Sequence, residues 1–279
     1  MSENIKIETT YKILRKIKKS IRLKDSFSLI RFGDGGLKFI ESILSKDYKQ
    51  MIKISEREGI PIFLFSHIYD LWKKSANISD YIDSPQVYFD SKFWPRLRKN
   101  EKPMSNSTRK KLENWKTIYE KSNFENNTFC NPEINFLMCL ESFEKNNFIE
   151  LIKDKKVCCV TSFYDLKKYI GEIIPNLDII PISGFYGNQF NNDFPYVISK
   201  INEFAKDYDI WLISAGELGR IYPGIIKFNG GRAIDIGSLV DYWCTGEIPV
   251  RLKLFMKQCE NNPLKLELTE DGKKYEEFI

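Results

Sequence analysis

The sequence predicts an α/β fold of the Rossmann-like kind, with a mostly parallel sheet and helices on both faces. Two observations lead to this prediction. Between residues 157 and 236, four short apolar runs alternate with three segments of helical periodicity, which is the pattern of parallel strands joined by right-handed crossovers. Near the start, an apolar run at 27–32 ends in a glycine-rich turn, and helical spacing resumes from Leu37.

The strand, turn and helix at 27–44 form the unit most suggestive of a ligand. Glycine lets the backbone approach a ligand closely, and the free N–H groups at a helix start favour an anion. Asp34 is the one carboxylate of the turn and would stand at the carboxyl end of the strand, where open α/β sheets bind their ligands. The alternative is an ordinary turn in which Asp34 caps the helix.

The remaining elements are predicted from the same patterns. Residues 9–22 indicate an amphipathic helix with a basic outer face, for which a solvated surface is favoured and a membrane-surface role is the alternative. A second strand is expected at 60–65 and a helix at 68–75, followed by an irregular excursion at 76–106. Helices are also expected at 109–121 and from about Pro132.

We therefore expect a single α/β domain over residues 1–245. Residues 246–279 are expected to form an extension that packs on this domain or on a partner, so a homodimer is one possibility. The sequence contains no internal repeat and no convincing linker.

Composition excludes several classes of protein. The 279 residues carry a net charge of +5 and contain no run of about 20 apolar residues and no apolar signal-peptide core, so a cytoplasmic location is expected. Six cysteines without a Cys-X-X-Cys pair predict free thiols, and a single histidine disfavours a histidine-based zinc site. The sequence has no basic stripe with interleaved aromatic residues, so nucleic acid is not expected as a partner.

Five loops that follow predicted strands are small, hydroxylated or glycine-rich, and they should meet at one edge of the sheet. They are 33–36, Thr161-Ser162, Ser183-Gly184, 214–219 and 237–238. Five such loops favour a phosphate or nucleotide site, with Ser214-Ala215-Gly216 as the predicted diphosphate cradle. The absence of a Gly-X-Gly-X-X-Gly pattern and of a P-loop lysine disfavours a nicotinamide enzyme or an ATPase.

Two motifs resemble those of the GT-D-type glycosyltransferases, a family first named as a domain of unknown function. Residues 31–35, Arg-Phe-Gly-Asp-Gly, are similar to the family's opening Arg-Phe-Gly-Asp-Gly-Glu, and residues 231–238 are similar to its closing Ala-Ile-Asp-Ile-Gly segment. In the family the Asp and Glu form an Asp-X-Glu pair associated with a divalent metal and the sugar-nucleotide donor. This chain has Gly36 in place of that Glu, and Ser238 where a His commonly follows.

The resemblance implies a glycosyltransferase of the hexosyltransferase class, which moves a sugar from a nucleotide-diphosphate donor to a glycan or glycoprotein acceptor. The expected catalytic residues are Asp34, Glu217 and Asp241. Asp34 is also the expected ligand of a Mn or Mg ion, which Gly36 puts in doubt. The expected donor-binding residues are Arg31, Gly33, Gly35, Gly36, Thr161, Ser162, Ser183, Gly184, Ser214, Ala215, Gly216, Asp235 and Ser238.

Alternatives remain open at this stage. Glu217 could instead cap the following helix, and Asp235 could serve as a general base or pair with Arg232. The competing functions are a non-catalytic protein that binds a sugar nucleotide or phosphate on the same fold, and a Rossmann-type methyltransferase.

Overall fold

A computed structural model of the chain describes residues 6–83, 113–114, 116–118, 120–125, 128–130, 134–139, 148–184 and 186–246, without the side chains of Asp34 and Phe136. Within this part, the strands form one eight-stranded sheet in the order β1-β4-β3-β2-β8-β7-β5-β6, and every pairing is parallel. The strands are β1 (Lys6–Ile7), β2 (Phe27–Ile30), β3 (Tyr81–Asp83), β4 (Thr128–Cys130), β5 (Val157–Thr161), β6 (Leu177–Pro181), β7 (Ile210–Ser214) and β8 (Arg232–Asp235). The predicted α/β class with a parallel sheet is therefore confirmed.

Helices connect the strands. They are α1 (Thr10–Leu23), α2 (Gly33–Leu44), α3 (Tyr48–Glu58), α4 (Phe65–Ile78), α5 (Ile134–Leu137), α6 (Phe148–Ile152), α7 (Lys167–Ile170), α8 (Gln189–Asn192), α9 (Phe194–Phe204), α10 (Tyr222–Phe228) and α11 (Leu239–Thr245). Short 3-10 turns lie at Ile62–Leu64 and Leu218–Arg220. The described residues between 113 and 122 are also helical, as the sequence predicts.

Two apolar layers cover the two faces of the sheet, because successive strand residues point to opposite sides. One layer contains the buried sides of α1, α6 and α11, and the other contains those of α2, α4, α9 and α10. Neighbouring Cys158 and Cys159 fall into different layers, as their place in a strand requires. Both are buried free thiols, and the other described cysteines are also free.

The prediction of a strand at 60–65 is wrong. Ile62–Leu64 is a 3-10 turn that leads directly into α4, and the ring of Phe63 is 84% exposed. The place beside β2 is taken by β3, which pairs Leu29 with Tyr81 and Ile30 with Ile82. An apolar run forms a strand only where an open neighbouring strand can accept its hydrogen bonds, and at 60–65 the packing of α4 prevails over the local pattern.

Three short strands escape the sequence analysis. β3 lies inside the stretch predicted to be irregular. β4 lies directly before the helix predicted from about Pro132, and β1 lies in the polar N-terminal segment. Each has two or three residues, which is too short for an alternating pattern to show. The rest of the predicted excursion, from 84 to 106, and the predicted extension at 246–279, apart from residue 246, lie outside the described residues.

Close packing between α4 and α10 depends on Gly224. A Cβ atom at this position would lie 2.6 Å from Ser75 Cα and 2.7 Å from Ser75 Cβ, and the Gly224 N–H donates to Ser75 Oγ at 3.0 Å. The two helices can therefore approach only where this residue has no side chain.

We predict that Gly224→Ala lowers the free energy of unfolding by about 1–3 kcal/mol, because the added methyl must push two buried helices apart. Urea denaturation followed by circular dichroism measures the change. Gly184→Ala is the matched control, since its Cβ would have open space around it. Equal stability of the two variants would contradict the packing described here.

Candidate active site

The carboxyl ends of the strands form a rim at one edge of the sheet. The five predicted loops follow β2, β8, β7, β5 and β6, and these five strands are consecutive neighbours. Because all are parallel, all five loops leave the sheet at this edge. The geometry thus brings the predicted loops to one side of the molecule.

Arg31 lies at the centre of the rim, directly after β2. Its main-chain N–H donates to Asp235 Oδ2 at 3.3 Å, and its half-buried side chain extends over the end of β8. Gly237 has φ +47°, and a Cβ atom there would collide with Arg31 Nη1. The guanidinium of Arg31 can occupy this position because residue 237 is glycine.

Asp83 is a residue of the rim that the sequence analysis missed. Its Oδ1 accepts the N–H of Phe32 at 2.6 Å, and its Oδ2 accepts that of Gly33 at 3.2 Å. Burial raises the pKa of this carboxyl, against the opposing charge of Arg31 and Arg220. Asp83 therefore holds the turn that leads into α2, and the only signal in the sequence is a single acid after two apolar residues.

Asp235 occupies the corresponding place at the end of β8. Its Oδ1 accepts the N–H of Gly237 at 2.9 Å, so both oxygens hold loop backbone. Burial raises its pKa to about 6, against the opposing charge of Arg31 and Arg220. The alternative pairing of Asp235 with Arg232 does not form, because Arg232 donates instead to the carbonyls of Tyr208 and Asp209 at the opposite edge.

Arg220 joins the start of α2 to the turn after β7. It donates to the carbonyl of Phe32 through Nη2 at 2.7 Å and Nε at 3.2 Å, and to the carbonyl of Gly216 through Nη1 at 2.7 Å. The guanidinium carbon lies 5.1 Å from the centre of the Trp72 ring, a distance that allows a cation–π contact.

Glu217 accompanies Arg220 as a buried ion pair. Its Oε2 lies 2.8 Å from Arg220 Nη1, and its Oε1 lies 3.1 Å from Arg57 Nη2. Burial raises the pKa of Glu217, Arg220 opposes this rise, and nearby Glu58 adds to it. The side chain makes no capping hydrogen bond to the 3-10 turn that follows, so the capping alternative is wrong.

Glycines 35 and 36 pack against this ion pair. A Cβ atom at Gly35 would lie 2.5 Å from Glu217 Oε1, and one at Gly36 would lie 2.7 Å from Arg220 Nε. The space that a side chain at position 36 would need is therefore filled by a guanidinium group.

The loop after β6 returns across the sheet to the end of α3. The N–H of Tyr186 donates to the carbonyl of Arg57 at 2.7 Å, and a Cβ at Gly59 would collide with Asn188. Gln189 Nε2 donates to the carbonyl of Ser183 at 2.6 Å. Its buried Oε1 accepts no hydrogen bond within the described structure and lies 3.5 Å from where a Cβ of Gly216 would be.

The other predicted site residues differ in accessibility. Gly184, Gly216 and Ser238 are exposed, Ser162, Ser183 and Ser214 are half-buried, and Ala215 is buried. Thr161 is fully buried, and its hydroxyl accepts the N–H of Phe163, so it shapes the turn after β5. Asp241 is exposed in the first turn of α11.

Asp34 lies in the first turn of α2, but its side chain is outside the described residues. Position 36 carries no side-chain oxygen, and the side chain nearest to it is the guanidinium group of Arg220. Among the described side chains, no group of three or more His, Cys, Asp or Glu residues is placed to hold a metal ion.

Comparison with known proteins supports the fold. No protein-family model matches the chain, and no curated protein matches it in sequence. Three solved structures share its fold. A selenomethionine structure of domain of unknown function 1792 is 16% identical, with a TM-score of 0.56 over 87% of this chain and 82% of that one.

The second structure is described as the same conserved domain with a distinct glycosyltransferase fold, and it is 15% identical with a TM-score of 0.54 over 87% of this chain and 82% of that one. The third is described as a new glycosyltransferase of this domain from Streptococcus sanguinis, 15% identical with a TM-score of 0.52 over 87% and 86%. The chain therefore has the glycosyltransferase fold described for these structures, and the expected fold resemblance is confirmed. The roles of individual motif residues stay predictions.

We predict that Asp235 makes stability depend on pH. Its folded pKa of about 6 exceeds the ordinary value of 3.8, so protonation favours the folded state. This stabilisation is complete below about pH 4, is lost as the pH rises through about 6, and amounts to about 3 kcal/mol. Asp235→Asn should remove this dependence. The free energy of unfolding of the wild type, relative to that of the variant, should therefore rise by up to this amount as the pH is lowered from 7 to 4.

Urea denaturation at several pH values measures this difference. Asp207→Asn, which removes an exposed carboxylate, is the control. A difference between wild type and Asp235→Asn that does not change with pH would refute the prediction.

We also predict strong energetic coupling between Arg220 and Glu217. Arg220→Leu should cost about 3–5 kcal/mol, because it leaves a buried carboxylate without one of its partners. In a double-mutant cycle, adding Glu217→Gln to Arg220→Leu should restore about 1–3 kcal/mol of the lost free energy of unfolding, because the buried carboxylate is then neutral.

The exposed ion pair of Lys153 and Glu150, at 2.7 Å, provides the matched control cycle and should couple much more weakly, because solvent screens the two charges. Additive effects of the two rim substitutions would show that the ion pair does not stabilise the rim.

Proposed function

We propose that the chain is a glycosyltransferase that moves a sugar from a nucleotide-diphosphate donor to an acceptor hydroxyl, with the donor bound at the rim. The observation that carries the proposal is the position of Arg31. On a glycosyltransferase fold, Arg31 lies two residues before the 12-residue helix α2, and its positive charge acts on two buried carboxylates, Asp83 and Asp235.

The leaving diphosphate is the group that such a site must stabilise. The first N–H groups of α2, at Asp34 and Gly35, have no partners within the helix, and with Arg31 they supply positive charge where the phosphate charge develops. Asp83 occupies the preceding N–H groups of Phe32 and Gly33, so it fixes the direction of the turn. The loop from 214 to 216 would contact the remainder of the donor.

In the transfer step, the bond from the anomeric carbon to the phosphate oxygen breaks as the acceptor oxygen bonds to that carbon. The acceptor proton passes to a carboxylate, and the nucleotide diphosphate leaves with the electron pair of the broken bond. Asp34 and exposed Asp241 are the candidates for this base. We assign Glu217 and Asp235 positioning roles, because Glu217 is buried in ion pairs with Arg57 and Arg220, and both oxygens of Asp235 accept backbone N–H groups.

The second candidate is a non-catalytic protein that binds a sugar nucleotide on the same fold. The observation that favours it is Gly36, where the resembling family carries a carboxylate and this chain has only a backbone against Arg220. Binding is common to both candidates, and turnover separates them.

We predict that a nucleotide sugar raises the melting temperature of the protein and that Arg31→Gln weakens its binding about 10- to 100-fold, because a charge-assisted hydrogen bond to phosphate is lost. Thermal shift with UDP-, GDP- and CMP-sugars, each with and without Mn²⁺, identifies the donor. Calorimetry then compares the variants.

Lys38→Ala is the matched control, since it removes an exposed charge from α2 away from the rim. Release of free nucleotide supports the transferase, and binding without release supports the second candidate. Unchanged binding by Arg31→Gln would remove Arg31 from the donor site.

A further inference from the structure

Helix α1 concentrates the positive charge of the chain. Residues 10–24 contain seven cations and no acidic residue, whereas the whole chain has a net charge of +5, so the remaining residues together carry −2. The cations that lie exposed on the outer side of the helix are Lys12, Arg15, Lys16, Lys18, Lys19 and Arg22.

The cations form two rows along one side of the helix. Lys12, Lys16 and Lys19 follow one line at helical spacing, and Arg15, Lys18 and Arg22 follow a second line beside it. From Lys12 to Arg22 the two rows together extend about 15 Å along the helix. All six cations line one shallow groove of about 470 Å³, together with Tyr81 and the buried acid Glu8, which is paired with Lys6 at 2.6 Å. On the other flank of the helix, Arg15, Lys18 and Arg22 also line a larger cavity, of about 830 Å³, that contains three acids, Glu150, Asp154 and Asp209.

The opposite side of α1 is fixed in the core. Ile13, Leu14, Ile17 and Ile21 are at most 6% exposed and belong to the apolar layer on that face of the sheet. The helix therefore cannot turn over and insert its apolar side into a bilayer. The outer side presents six cations and one exposed apolar side chain, Leu23, so a partner of this side is recognised mainly by charge, over a surface long enough for several anions.

We propose that the outer side of α1 docks the protein on a lipid bilayer that contains anionic headgroups. Lysine supplies most of the charge, and a bilayer presents many phosphates to such compact charges without a demand for paired geometry. Single-stranded nucleic acid is less suited, because the exposed side of α1 offers no aromatic side chain for base stacking, and Tyr11 is half-buried beneath Arg15 at 5.9 Å.

The direction of α1 relates this surface to the rim. β1 ends at the rim edge and α1 follows it, whereas the far end of α1 leads to the start of β2 at the opposite edge. A bilayer along the outer side of α1 would therefore extend from the rim edge to the other edge of the sheet. Among the described helices, none is long and apolar enough to span a membrane.

Co-sedimentation with lipid vesicles tests the proposal. The protein should sediment with phosphatidylcholine vesicles that contain about one third phosphatidylglycerol and stay in solution with pure phosphatidylcholine, and binding should fall at least about tenfold between about 0.05 M and 0.5 M salt. Lys12→Glu, Lys16→Glu and Lys19→Glu combined should reduce binding about 100-fold, at about fivefold for each cation lost.

The matched control combines Lys49→Glu, Lys53→Glu and Lys167→Glu, which makes the same change in net charge at exposed positions on other helices. It should change binding less than about threefold, and circular dichroism should show that both variants are folded. Equal loss in the two variants, no binding of wild type to anionic vesicles, or binding to heparin or oligonucleotides but not to vesicles would each overturn the proposal. Binding of donor to the rim is measured separately, so failure here leaves the proposed transferase intact.

Discussion

The buried guanidinium of Arg220 is the contact on which the arrangement of the rim depends. It joins the carbonyls of Phe32 and Gly216. These residues follow β2 and β7, two strands that lie about 10 Å apart because β8 stands between them. A buried guanidinium is tolerated only when its N–H groups are satisfied and its charge is balanced, and Glu217 supplies that balance. The start of α2 and the turn after β7 are thus held in a fixed relation.

The glycines of the first turn are a consequence of this contact. α2 begins directly against Arg220 and Glu217, and no space remains for side chains at positions 35 and 36. The departure from the resembling family at Gly36 is therefore structural as well as chemical, because a carboxylate there would require Arg220 to move. In this chain, arginine rather than a second acid stands beside the turn.

Charge is used in two different ways in the molecule. At the rim, the buried carboxylates Asp83 and Asp235 accept hydrogen bonds from the backbone, and the charges of nearby arginines act on them. These interactions are directional and little screened by salt, because the groups are buried. On α1 the cations are exposed and have no acid on their own helix. Such a surface attracts any dense array of anions, and its interactions weaken with salt. The first arrangement can recognise one ligand, whereas the second can orient the whole protein on a charged surface.

The sequence by itself determined the α/β class, the central strands β2, β5, β7 and β8, and the meeting of five loops at one edge, because apolar runs and glycine turns are local patterns with a fixed geometric meaning. It could not reveal β3, since three residues show no periodicity, and it therefore missed Asp83. It also could not distinguish a reactive acid from a structural one. Only the tertiary structure decided that Glu217 pairs with Arg57 and that Asp235 holds the backbone of Arg31, because these partners come from elements far apart in the chain and meet only when the sheet has formed. Arg220 lies three residues after Glu217, but the burial of this pair also comes from the fold.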